Sequence, residues 1–158
     1  MTYKEVIEHL KLQPLPDEGG YYRQTWQSDE STAIYFLLTP ENNGFSALHT
    51  LSSVEIYHFY AGDTVQLILF PPEGTPGEIQ KVMLGSRLEH GEFPQLAIPA
   101  GTTQGSCLMD GGEWALLGTT MAPPYSQEIF KLSSRSKMLK DFPDYRDWIL
   151  RLTREEEA

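Results

Sequence analysis

The chain has 158 residues, of which 40% are apolar, and 12 Lys and Arg against 22 Asp and Glu leave a net charge of -10. That length suits one domain with a full core and is short for two; the acidity, with no Lys or Arg cluster, excludes a nucleic-acid partner. A single cysteine, Cys107, excludes an intramolecular disulfide framework and a Cys/His zinc centre, and with a polar N-terminus and no apolar run near the ~20 residues that span a bilayer, a cytoplasmic protein without a membrane partner is expected.

In chain order, Thr2 and Glu5 form a capping box ahead of Val6, Ile7 and Leu10 at helical spacing, and Pro14 and Pro16 close the helix. Residues 1–16 therefore read as helix and linker. The phrase LQPLPDEGGYYRQTW then bends at its Pro and Gly residues into an aromatic run, Tyr21 to Trp26. Within it Arg23 suits either an anionic ligand group or one of the chain's many carboxylates. Thr32 to Thr39 reads as a buried strand, and the Tyr35 hydroxyl within it needs a partner, from backbone or ligand.

Two runs follow, Phe45 to His49 and Glu55 to Tyr60. Alternation places Phe45, Ala47 and His49 on one face of the first, and Glu55, Tyr57 and Phe59 on one face of the second, with His58 opposite. A turn at Thr50 to Ser53 would pair the two antiparallel and bring His49 and Glu55 to the same side of a sheet. Ala61-Gly62-Asp63 turns into Thr64 to Phe70, where Thr64, Gln66 and Ile68 share a face. Pro71 to Gly77 is a loop, Ile79 to Leu84 a strand, and Pro94 to Pro99 a short apolar run.

Pro99-Ala100-Gly101 signals a turn, with Gln104 just beyond it. Ser106 to Met109 is a strand whose Cys107, flanked by apolar residues, reads as packing and not as a nucleophile. Asp110-Gly111-Gly112 reads as a hairpin turn before Trp114 to Thr120. Pro123-Pro124 then breaks the rhythm. After Gln127 to Lys131, Ser133 to Lys140 has a helical composition, and a last helix from Pro143 presents Tyr145, Trp148, Ile149 and Leu152 for docking. The end, Arg154-Glu155-Glu156-Glu157, reads as a solvated, frayed terminus. About eight short strands without βαβ alternation predict a sandwich or barrel over residues 20–131, with helices over 133–153.

These residues resemble the cupin superfamily, whose motifs are written G-x5-H-x-H-x3,4-E-x6-G and G-x5-P-x-G-x2-H-x3-N. His49, Glu55 and Gly62 match the first, with Leu51 at its second His and Gly44 one residue too close. Pro99 and Gly101 match the second, with Gln104 at its His and Leu108 at its Asn. The phrases EGGYYRQTW, STAIYFLLT, FSALH, VEIYHFYAGD and IPAGTTQG resemble a subgroup of small single-domain cupins. The resemblance implies an all-β fold, the cupin double-stranded β-helix or jelly-roll barrel, with short N- and C-terminal helices.

The resemblance also implies a ligand inside the barrel. His49, Glu55 and Gln104 stand where such proteins hold a divalent metal, but an amide and a lost imidazole at Leu51 make a weak donor set. Without metal, His49 and Glu55 would form a proton-transfer pair, the carboxylate orienting the ring, in the manner of a metal-free sugar epimerase. Gln104, Tyr35, Tyr57, Arg23 and Gln66 are then the ligand-binding candidates, and Tyr35, Tyr57 and Tyr22 the candidate acids. A sugar or nucleotide-sugar isomerase, a metal-dependent oxygenase and a non-catalytic binding module are the three readings. The aromatic face carrying Ile56, His58 and Tyr60 predicts a homodimer.

Overall fold

The computed structural model describes residues 1–41 and 44–156. Helix α1, Tyr3–Leu10, begins at the predicted capping box, with the Glu5 amide donating to the Thr2 hydroxyl and the Thr2 amide to the Glu5 carboxylate. It ends at Lys11, which adopts a left-handed conformation. Among the described residues eleven strands follow: β1 Gln13–Pro14, β2 Tyr21–Gln27, β3 Thr32–Leu38, β4 Phe45–Leu51, β5 Glu55–Gly62, β6 Val65–Phe70, β7 Gln80–Leu84, β8 Gln95–Ile98, β9 Thr103–Leu108, β10 Ala115–Met121 and β11 Phe130–Leu132. Helices α2, Arg135–Asp141, and α3, Arg146–Arg151, close the chain.

The strands form two antiparallel sheets, one of order β1-β2-β3-β10-β5-β8 and one of order β11-β4-β9-β6-β7. This order corrects the predicted pairing of β4 with β5. The two strands belong to different sheets, and residues 52–54 carry the chain across the barrel edge between them. Likewise the Asp110–Gly112 turn links β9 of one sheet to β10 of the other instead of closing a hairpin. Alternation specifies which face a side chain occupies, but not which strand lies alongside. The Pro99–Gly101 turn forms as read: the Thr102 amide reaches the Pro99 carbonyl at 3.3 Å, and Gly101 takes a φ of 82°.

Each sheet buries one face against the other and covers part of its outer face with helix. Phe36, Leu38, Tyr57, Leu67, Leu84 and Leu117 belong to the interior core between the sheets. The outer face of the second sheet packs Leu48, Ile68, Phe70 and Cys107 against Met138, Ile149 and Leu152 of the C-terminal segment. Cys107 is thus a packing residue, its thiol pKa raised by burial. On the first sheet, Val6 of α1 docks with Leu12 and Leu37 near one end. Among the described residues no helix is long and apolar enough to cross a membrane.

Candidate functional site

Strand β4 does not alternate as its sequence suggests. Ser46 pairs with Ser106 and His49 with Gln104, so two residues, Ala47 and Leu48, stand opposite Gly105 alone. The irregularity turns His49 into the barrel while Leu48 points out to the helices. It also frees backbone groups for other partners: the Ala47 amide donates to the Glu18 carbonyl at 2.8 Å and the Leu48 amide to the Leu152 carbonyl at 2.8 Å. Gly105 is needed here, since a Cβ would meet Leu48 Cδ2 at 2.9 Å and the Ser46 carbonyl at 3.1 Å.

Glu18 arrives at the same place from a tight loop. Gly19, at a φ of 105°, passes so close to the Phe45 carbonyl that a Cβ would lie 2.3 Å from its oxygen. This close passage sets the Glu18 carboxylate against β4, where Oε1 accepts from the Ser46 hydroxyl at 2.7 Å and lies 3.9 Å from His49 Nε2. The loop is held from behind by Arg154, which donates to the carbonyls of Asp17 and Glu18 and lies 5.0 Å over the Phe45 ring. The predicted frayed terminus is corrected accordingly. Arg154 is tied down, and the Glu156 carboxylate accepts from the hydroxyls of Ser134 and Ser136; Glu157 lies outside the described residues.

These groups face a cavity of about 350 Å³ between the sheets, lined by His49, Glu55, Tyr57 and Glu18 together with aromatic and apolar side chains. The ring of His49 is 2% exposed, with Nδ1 2.7 Å from the Ala47 carbonyl and its face against Phe130 at 5.2 Å. A carbonyl only accepts, so Nδ1 carries the proton, and in the neutral ring Nε2 keeps the free lone pair. This corrects the orienting role expected of Glu55: Ala47 fixes the ring, and the carboxylate closest to Nε2 is that of Glu18.

Glu55 is buried, and its pKa is pushed up to about 7, foremost by desolvation and further by the Glu18 charge; His49, Thr119 and Gln104 act in the opposite direction. Gln104 donates through Nε2 to Glu55 Oε1 at 3.1 Å, while its buried Oε1 has no hydrogen-bond partner among the described residues. Burial raises the Tyr57 hydroxyl well above its usual range, with the Glu55 and Glu18 charges adding to the effect. Tyr125, at the same cavity, is raised chiefly by burial and then by Glu18.

Of the residues singled out in the sequence, His49, Glu55 and Tyr57 line the cavity, Tyr22 joins them, and Gln104 backs Glu55. Gln104 is not itself part of the lining, and three more residues lie away from the cavity. Tyr35 packs edge-on against Tyr60 on the outer face, Arg23 lies 5.4 Å over the Tyr35 ring, and Gln66 donates to the carbonyls of Leu67 and Val82. Gln66 shares the outward face of β6 with Ile68, so the face was legible in sequence but its direction was not. His58 also points outward, 3.1 Å from the Thr120 hydroxyl, as alternation requires. The sequence reading missed Glu18, Thr119 and Tyr125; for Glu18 alone the Gly-Gly pair after it marks a close backbone passage, without saying which strand it passes.

The donor set does not fit a divalent metal. Leu51 puts an apolar side chain at the cavity where the motif has its second imidazole, and the group Gln104 turns toward Glu55 is Nε2, a donor that cannot ligate a cation. Among the described residues no three His, Cys, Asp or Glu side chains converge as a cation would require.

A family model described as "Cupin superfamily (DUF985)" matches residues 4–133. No curated protein shows significant similarity. A crystallographically solved protein from Shewanella oneidensis is 29% identical with a TM-score of 0.90, covering 99% of each chain. Two more distant structures share the fold. A dTDP sugar isomerase from Desulfovibrio desulfuricans is 20% identical at a TM-score of 0.56, over 78% of this chain and 80% of its own. Oxalate decarboxylase from Bacillus subtilis is 15% identical at 0.59, over 93% of this chain and 38% of its own.

Proposed function

The chain belongs to the cupin superfamily, in the family DUF985, and on that premise we propose that it binds a small sugar-like carbonyl compound in its barrel and isomerises or epimerises it by acid–base chemistry. The observation that carries this reading is the pairing of an acceptor nitrogen, His49 Nε2, with a carboxyl of pKa about 7, Glu55, at one enclosed cavity. A group that titrates near neutrality is present in both protonation states at working pH, as general acid–base catalysis requires. His49 Nε2 takes the proton from the carbon beside the carbonyl. Protonated Glu55 supplies one to the developing enolate oxygen; in an isomerisation the proton on His49 then passes to the neighbouring carbon as Glu55 takes back the proton of the adjacent enediol hydroxyl, and in an epimerisation a proton is delivered to the opposite face of the original carbon as the enol proton returns to Glu55. The Tyr57 hydroxyl, held protonated by burial, adds a further donor.

The fold shared with a dTDP sugar isomerase is compatible with this chemistry, and the misfit of the donor set to a cation disfavours a metal-dependent oxygenase. The test is deuterium incorporation from heavy water into a panel of aldoses and ketoses, followed by NMR. Exchange is expected with the wild type, falling by about 100-fold or more in His49→Ala and Glu55→Gln variants that keep their circular dichroism and melting cooperativity. Ligands that bind at the cavity without exchange anywhere on the panel would replace the catalytic reading with a binding module.

A further inference from the structure

The walls of the cavity carry a charge pattern that narrows the substrate class. Three acidic residues, Asp17, Glu18 and Glu55, line it, whereas among the described residues no Lys or Arg does and His49 is the one basic residue in the lining. Two arginines that contact or adjoin cavity residues are engaged elsewhere: Arg154 holds the carbonyls of Asp17 and Glu18 from behind, and Arg23, next to Tyr22 in sequence, stacks on Tyr35 outside the barrel. Of the polar groups able to meet a ligand, the Glu18 carboxylate and the lone pair of His49 Nε2 accept, while protonated Glu55 and the Tyr57 hydroxyl donate. Aromatic residues in the lining, among them Tyr22, Tyr125 and Phe130, suit contact with C–H groups or a cation.

We infer that the cavity takes an uncharged or cationic small molecule rich in hydroxyl or amino donors and rejects phosphorylated, nucleotide-linked and carboxylate-bearing ones. An anion entering here would meet fixed carboxylates with no guanidinium or ammonium to pair it, in a water-poor space where like charges repel strongly. A hydroxyl or ammonium donor instead satisfies the acceptors of Glu18 and His49. Within the proposed acid–base reading, on which this inference rests for the cavity being a ligand site, the substrate is then a free sugar or an amino sugar and not a sugar phosphate or nucleotide sugar.

The experiment is an NMR fragment screen on the wild-type protein, with equal numbers of anionic, neutral and cationic fragments and with matched pairs such as glucose and glucose 6-phosphate, or glucosamine and gluconate. The reporter is the His49 ring signal, assigned by its loss in His49→Gln. Neutral and cationic fragments should make up nearly all compounds that shift this signal, each at least roughly tenfold tighter than its anionic counterpart. Glu18→Gln should narrow that gap. Anionic fragments binding as well as or better than their partners would overturn the charge inference while leaving acid–base chemistry intact. A screen in which nothing shifts the His49 signal would overturn both.

Discussion

Glu55 ties the chemistry of the site to the stability of the fold. Its folded pKa of about 7 exceeds the ordinary 4.5, so between these values the folded chain holds a proton that the unfolded chain has released. The contribution from this carboxyl is therefore fully present below pH 4.5 and is lost as the pH rises through 7, a loss of up to about 3 kcal/mol. Glu55→Gln keeps an oxygen to accept from Gln104 but cannot ionise. It should remove this slope and stabilise the protein at pH 8 by up to about 3 kcal/mol, while differing little at pH 4.5. Urea denaturation at the two pH values checks both halves, and equal stability of variant and wild type at pH 8 would show that Glu55 ionises without strain. His49 and Glu55 were both legible in the sequence because their spacing matches a motif. Glu18 was not, since nothing in an Asp-Glu-Gly-Gly run says that its loop returns against a strand 28 residues on.

At the level of elements, the site depends on an irregular strand clamped from both ends of the chain. The Ala47 amide is held by the Glu18 loop and the Leu48 amide by the end of α3, and Arg154 in turn holds the loop. Regular alternation would have placed Phe45, Ala47 and His49 together; the bulge instead brings Ser46 and His49 to the Glu18 carboxylate. Arg154→Ala removes donors to two carbonyls and should cost about 1–2 kcal/mol in stability. Its larger effect should be local. The Ala47 amide, protected by the Glu18 carbonyl, should exchange with solvent markedly faster, while the amides of β6 keep their rates. Unchanged protection at Ala47 would mean that the glycine geometry alone holds the loop.

Across the whole molecule, the two sheets are treated unequally. The second is covered by α2 and α3, whereas α1 covers only one end of the first, leaving Trp26 and Tyr60 more than half exposed beside His58 and Tyr35. A second copy covering this face is the simplest way to remove it from water. Light scattering should therefore give twice the chain mass at micromolar concentration, and Tyr60→Glu should shift the protein toward monomer; a monomeric wild type would refute the arrangement. The sequence by itself determined the capped first helix, most of the strand positions, the all-β class and the outward His58, because capping, turn chemistry and period-two alternation act over a few residues, and it pointed to His49 and Glu55 through the spacing of a motif. Only the tertiary structure decided that β4 and β5 lie in opposite sheets, that Gln66, Tyr35 and Arg23 face away from the cavity, and that Glu18 enters it. Those outcomes depend on which distant segments share a wall of the barrel, a choice made by closure of the whole core and written in no local stretch of chain.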